Sequence, residues 1–456
     1  MTNVLILIFI LGYIAIATEH KLKLDKTVPA LLTAAILWAL LAMGFHEGWF
    51  SVINPEGHVF NFLEGGEEAQ EGFHNTLMHH LAKTSEILVF LVGAMTIVEI
   101  IDLHRGFEVL KEYVKTNNKR KLLWIIGTLA FFLSAVIDNL TATIVLVTLL
   151  RKLIVDRKTR LWFVGLIVIA ANAGGAWSPI GDVTTTMLWI AKNVTAAGLI
   201  EHVVGPSLLN FIVPFGIASF LPVFNGTVIS EKDDEDFEKV EKLLSSKTML
   251  YLGLGMILFV PIFKTITHLP PYLGMMLSLG IVWLVSEYIH PEEDFTEERK
   301  HLYSPHIALS RIEMSSILFF LGILMAVGAL ETLVYGSINN VEMGSLRYMA
   351  EVLQQTLPNV EIVVVLLGIL SAIVDNVPLV AASMGMFNYQ VDHIIWHMIA
   401  YSAGTGGSIL IIGSAAGVAA MGMEKIDFFW YMKKISWLAF LGFLSGFFFF
   451  WLETLF

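Results

Sequence analysis

Ser134-Ala-Val-Ile-Asp-Asn139 and Ser371-Ala-Ile-Val-Asp-Asn376 are two versions of one hexapeptide. Each lies inside an apolar stretch long enough to be in a membrane, and each sets a carboxylate beside a carboxamide near its midpoint. An Asp at the centre of a bilayer costs about 2.5–3.5 kcal/mol even on the lenient insertion scale. That cost, met twice at matching places in two halves of the chain, calls for a function.

Working outward, the chain has 456 residues, 56% hydrophobic and 15% charged. This is the composition of an all-α polytopic membrane protein rather than of a soluble multidomain enzyme. The absence of cysteine excludes disulfides, thiolate metal sites and iron–sulfur clusters. A net charge of −12, with the acids gathered in loops, speaks against nucleic acid as a partner. The first apolar run, Val4 to Ala17, ends in Ala15-Ile-Ala17 like a cleavage site, but no Lys or Arg precedes it, so it reads as a first span.

Apolar runs fall at about 3–18, 27–45, 84–102, 122–150, 161–192, 205–224, 248–267, 271–289, 312–335, 360–390, 391–423 and 428–454. Basic residues sort the connections. Lys21, Lys23 and Lys26 put the first one in the cytoplasm, the 46–82 loop with Glu64, Glu67, Glu68 and Glu71 lies outside, and both termini come out periplasmic. The 122–150 stretch has Lys119-Arg-Lys121 before it and Arg151, Lys152 and Arg157 after it, so both ends belong to the cytoplasmic side. It is too long for one comfortable helix and too short for two spans of about 20 residues each. It therefore reads as a re-entrant hairpin with Asp138-Asn139 at its tip, facing a cavity because turning backbone is tolerated at that depth only where protein or water lines it. The 360–390 stretch has almost no bases around it and reads as a hairpin from the periplasm, with Asp375-Asn376 at its tip.

Two further landmarks recur with nearly the spacing of the hexapeptides. One is Ser85-Glu-Ile-Leu-Val-Phe-Leu91 against Ser315-Ser-Ile-Leu-Phe-Phe-Leu321; the other is Gly174-Gly-Ala-Trp-Ser-Pro-Ile-Gly181 against Gly406-Gly-Ser-Ile-Leu-Ile-Ile-Gly413. With loop charges placing the copies on opposite sides, the expectation is an inverted-topology repeat with two re-entrant hairpins and two broken helices, 161–192 and 391–423. The first repeat is 1–224, a cytoplasmic linker 225–247 follows, and the second repeat is 248–456. Pro179 breaks the first helix outright, because it removes a backbone bond and clashes with the preceding turn.

The candidate site collects Asp138, Asn139, Asp182, Thr184, Thr185, Ser371, Asp375 and Asn376, with Thr141, Asn172, Ser402, Thr405 and Ser408 as second ligands. All offer oxygen and there is no intramembrane base among them, which suits a small hard cation or protons and repels an anion. The metal expectation is Na⁺ or Li⁺ at Asp138, Asn139, Asp375 and Asn376. Since burial and like charge both favour the protonated acid, cation and proton compete for one site, which is sufficient for antiport. Asn139 and Asn376 are equally at home as caps of half-helices, and the two uses are compatible.

At these tips and loops the sequence resembles the ion transporter superfamily that includes dicarboxylate/sodium symporters, and within it the NhaD-type sodium/proton antiporters. Asp138-Asn-Leu-Thr-Ala-Thr143 is similar to the Ser-Asn-Thr tip motif with Asp in place of Ser, and Asp375-Asn376 makes the same replacement. In the second tip Pro378 stands where Thr141 stands in the first. The resemblance implies a homodimer in a bacterial inner membrane that exchanges cytoplasmic Na⁺ or Li⁺ for external H⁺; no cofactor is expected, and the lack of a metal-binding His pair, activated nucleophile or phosphate loop speaks against an enzyme. The alternative within the fold is a sodium-coupled carboxylate symporter, which would need donors at the tips to receive its anion.

Overall fold

The structure is a computed structural model that describes residues 2–228, 243–289, 291, 303–338, 341–357, 359–373 and 375–453. In chain order the helices are α1 (Thr2–Ala17), the single turn α2 (Glu19–Leu22), α3 (Thr27–His46), α4 (Phe62–Leu103), α5 (Lys119–Ser134), α6 (Asn139–Leu153), α7 (Arg157–Ala176), α8 (Val183–Ile190), α9 (Ala196–Ser219) and α10 (Ser246–Thr267). The order continues with α11 (Pro271–Tyr288), α12 (Pro305–Arg311), α13 (Met314–Thr332), α14 (Ser345–Thr356), α15 (Val360–Ser371), α16 (Asn376–Met386), α17 (Ile394–Gly406), α18 (Ala415–Glu424), α19 (Phe428–Lys434) and α20 (Ser436–Glu453).

Six described helices are long and apolar enough to cross a membrane, or seven if α4 and the 3₁₀ turn Gly106–Tyr113, bent by 69°, form one span; other apolar runs are covered by shorter helices such as α15 and α16. Two features differ from the sequence reading. The stretch 46–82, read as a loop, is helical from Phe62 onward apart from a kink at Gly66, whose φ of 53° is not helical, and the helix continues to Leu103. Its Glu, Gln and His are polar yet compatible with a helix, and polarity alone had marked them as loop. Two antiparallel ribbons, β1 (Val52–Ile53) with β2 (Val59–Phe60) and β3 (Val334–Ile338) with β4 (Val341–Gly344), add strands to a chain expected to be all helix. Most of the expected 225–247 linker, residues 229–242, lies outside the described residues.

The chain forms two compact units, and each draws on both halves of the sequence. The first comprises Met1–Val89, Glu313–Val364 and Val377–Gln390. In it α3 and α13 pack backbone to backbone: a Cβ on Gly322 would stand 2.7 Å from the Ala30 carbonyl carbon. The Thr27 hydroxyl donates to Ser315 O (2.9 Å) and Trp38 Nε1 to Met325 O (2.8 Å), which fixes the register of the pair. Leu37, Leu41, Phe45, Phe73 and Ala329 form its core, with Phe45 stacked on Phe73 at 5.1 Å.

The second unit comprises Phe90–Ile312, Val365–Asn376 and Val391–Phe456. Helix α7 is its axis, buried along most of its length. Asp156 starts α7 by accepting the Thr159 amide (3.0 Å) and hydroxyl (2.7 Å), and these bonds hold its carboxyl below the usual carboxylate range. At the end of α18 the buried Glu424 pairs with Arg151 Nε (2.7 Å) and Arg160 Nε (3.0 Å), joining α18 to α6 and α7. Glu424→Gln leaves both guanidiniums without their counter-charge. Water reaches Arg151, whose side chain is 44% exposed, so the cost falls below the roughly 3–5 kcal/mol of a fully buried broken pair, to on the order of 2 kcal/mol. Purified E424Q is expected to melt several degrees below the parent in detergent; coincident melting curves would contradict this role.

Candidate functional site

Four helix breaks in the second unit build the site. Helix α5 stops at Ser134 and α6 starts at Asn139; α7 stops at Ala176 and α8 starts at Val183; α15 stops at Ser371 and α16 starts at Asn376; α17 stops at Gly406 and α18 starts at Ala415. Each restart leaves backbone N–H groups unpaired, and side chains at the breaks answer them. Asp138 caps α6, with Oδ1 accepting from Thr141 N (2.9 Å) and Oδ2 from the Thr141 hydroxyl (2.7 Å). Asp182 caps α8 through Thr184 N (3.2 Å), and Ser414 caps α18 through Gly417 N (3.2 Å).

The breaks meet on one carboxylate. Asp182 Oδ2 accepts Nδ2 of Asn139 (3.2 Å) and Nδ2 of Asn376 (3.1 Å), so the carboxamides of both Asp-Asn motifs converge on it. Asn139 Nδ2 also donates to Asn172 Oδ1 (3.0 Å), and Asn172 Nδ2 donates to the hydroxyls of Ser408 and Ser414, each at 2.9 Å. All of these side chains are buried. Asp138 and Asp375 directly precede these two asparagines in the chain, which brings them to the same site. Thr143 lies one turn beyond Asn139 on the same face of α6, and its buried hydroxyl has no hydrogen-bond partner among the described residues. A buried oxygen left without a partner costs on the order of 1–3 kcal/mol and asks for a ligand or a role.

The same close approaches occur in both halves. The Ser134 hydroxyl donates to Ala171 O (2.6 Å), and the Ser371 hydroxyl to Ala403 O (2.9 Å). A Cβ on Gly181 would lie 2.6 Å from Ser134 O, and one on Gly413 2.7 Å from Ser371 O. A Cβ on Gly174 would press into Phe131 O, and one on Gly406 into Gly368 O. Small residues at these positions let two backbones touch.

The structure thus brings Asn139, Asn172, Asp182, Asn376 and Ser408 into one hydrogen-bonded group, with Ser414 added. Ser371 spends its hydroxyl on a backbone carbonyl, as do Thr185 on Asp182 O (2.9 Å) and Thr405 on Tyr401 O (2.6 Å); Thr141 serves Asp138. Thr184 and Ser402 are buried at the breaks. The sequence reading counted no intramembrane base, yet Lys264 is half-buried in the last turn of α10, with Nζ 3.2 Å from Trp189 O. It stands near the end of an apolar run, where a lysine ordinarily reaches for the interface, and sequence gives no sign of its partner.

The arrangement is a set of oxygen donors with three acids, the buried Asp182 and the half-buried Asp138 and Asp375, around a buried hydrogen-bonded network. The family model described as CitMHS, citrate transporter, matches residues 13–404. Sodium/proton antiporter 1 of Arabidopsis thaliana is 43% identical over 96% of this chain and 70% of its own length. Sodium/proton antiporter 2 of the same plant is 41% identical over 96% of this chain and 97% of its own. The Na(+)/H(+) antiporter NhaD of Alkalimonas amylolytica is 31% identical over 97% and 89%, respectively.

Proposed function

From the premise that this chain belongs to the citrate transporter family, in its branch of NhaD-type sodium/proton antiporters, we propose that it is a secondary active transporter exchanging Na⁺ for H⁺. Li⁺ takes the place of Na⁺ at the same oxygens. The observation that carries the reading is the convergence of both Asp-Asn motifs on Asp182, which brings Asp138 and Asp375, each next in the chain to one of those asparagines, to the same site. Asp182 is buried and Asp138 and Asp375 are half-buried, so three carboxylates meet at the breaks with no base among them. A hard cation relieves them, and so do protons, and each displaces the other.

Asp182, already holding three N–H donors, organises the site, while Asp138 and Asp375 exchange cation for proton. The two halves form an inverted-topology repeat: the α5–α6 hairpin enters from the cytoplasm, the α15–α16 hairpin from the periplasm, and the site opens to each side in turn. The chain works as a homodimer in a bacterial inner membrane with both termini periplasmic. An anionic substrate such as a carboxylate would meet three acids and no base at the breaks, which favours the antiport reading over symport.

The test uses everted vesicles acidified by respiration, with a pH-sensitive dye inside. Addition of Na⁺ or Li⁺ is expected to release the accumulated protons, whereas carboxylate uptake without proton release would overturn the reading. With more than one proton moved per Na⁺, voltage contributes about 2.3 kcal/mol per net charge per 100 mV, and a valinomycin/potassium clamp is expected to slow the exchange. An unchanged rate under the clamp would show an electroneutral exchange.

A further inference from the structure

Helix α8 is one rigid rod of eight residues whose first turn carries the site: Asp182 is its cap. At its far end the last carbonyls are closed by backbone, Met187 O by Ala191 N (2.9 Å), Leu188 O by Asn193 N (2.9 Å) and Trp189 O by Lys192 N (3.2 Å), and Trp189 O keeps a second lone pair to offer. Lys264, from α10, reaches that end. Its ammonium donates to Trp189 O at 3.2 Å and lies 4.4 Å from the centroid of the Trp189 ring, which is itself fully buried. Among the described residues no carboxylate forms an ion pair with Lys264, so the Trp189 carbonyl and ring are the partners the structure gives this charge. A cation here meets both the negative end of the helix dipole and an aromatic face.

The companion rod α18 is held in the same manner. Its cap, Ser414, belongs to the hydrogen-bonded group around Asn172, and its last carbonyls are taken by guanidiniums: Arg157 donates to Glu424 O (2.9 Å) and Lys425 O (3.1 Å), and Arg151 to Met423 O. Helices α8 and α18 are therefore each held, at the end opposite their cap, by a basic side chain from another element. A short helix held at its tail cannot slide along its axis, and a slide of 1 Å is a large error for a carboxylate that must share its hydrogen bonds with two carboxamides.

We propose that Lys264 is a positioning residue for the site: by seizing the C-terminal carbonyl of α8 it fixes where the Asp182 carboxylate stands between Asn139 and Asn376. This rests on the antiport reading above and adds to it the residue that sets cation affinity from the far end of the rod. The alternative is a lysine that only stabilises the fold.

The experiment compares Lys264→Met and Lys264→Arg with the parent in everted vesicles, measuring the half-saturating Na⁺ concentration at several pH values separately from the maximal signal per unit of membrane protein. K264M is expected to raise the half-saturating concentration about three- to tenfold, with a displaced pH profile, and K264R, which keeps charge and donors, to stay within about twofold of the parent. A K264M chain with unchanged half-saturation and pH profile, and a maximal signal reduced only in proportion to its amount, overturns the proposal. Should K264M fail to accumulate, Lys264→Gln is held to the same two criteria. A parent without any Na⁺ response would sink the antiport reading itself, an outcome distinct from failure of the lysine variants alone.

Discussion

Asp138→Asn and Asp375→Asn are each expected to reduce Na⁺-driven proton release at least about a hundredfold while leaving the protein folded and in the membrane. The magnitude follows from charge. Asp138 and Asp375 are half-buried, so losing one of these charges costs less than the roughly 3–5 kcal/mol of a fully buried one; about 2.8 kcal/mol, at 1.4 kcal/mol per factor of ten, gives the hundredfold. Asparagine also has no proton to give, so cation flux that survived would no longer be coupled. The fold is spared because Asp138 caps α6 through Thr141, and Asn is as good a cap as Asp. Membrane abundance and melting temperature of D138N should therefore match the parent. Proton release that persisted at the normal rate in both variants would remove the paired aspartates from the mechanism.

What the sequence made legible was local chemistry. Pro179, the glycine pairs and the Asp-Asn steps cannot continue a helix without help, and the helices stop at all four of those places. What it concealed was pairing across distance. Nothing in the sequence around Asn172 announces that its amide will bridge Ser408 and Ser414, or that Asn139 and Asn376 will both choose Asp182, because those contacts depend on where four interrupted helices cross. Lys264 was hidden for the same reason: a lysine at the end of an apolar run is ordinary until its partner is known to be a buried helix end. The length of α4 was missed because an acidic segment compatible with a helix is read from composition as a loop. Charge bears on which side a loop lies, but it says nothing about whether a polar segment coils.

Gly174→Ala and Gly406→Ala test the crossings themselves, and both are expected to cost more than an ordinary core substitution. A methyl at either position points at the backbone of the facing helix, at Phe131 O and at Gly368 O respectively. Overpacking usually costs about 1–3 kcal/mol because side chains can yield. Here the obstacle is main chain, so two helices must separate, and the upper end of that range or beyond is expected. Separation also lengthens the neighbouring bonds from Ser134 to Ala171 O and from Ser371 to Ala403 O, which sit one turn away. Gly255 and Gly280 provide the contrast, since nothing lies within 4 Å of a Cβ built there and both sit in helix interiors. G255A and G280A should match or slightly exceed the parent in melting temperature, by about 1 kcal/mol of helix propensity at most. G174A and G406A should melt far lower or fail to accumulate. If all four alanine variants melted alike, the backbones would not be in contact at the crossings. The convergence of Asn139 and Asn376 on Asp182, which depends on that contact, would then lose its structural basis.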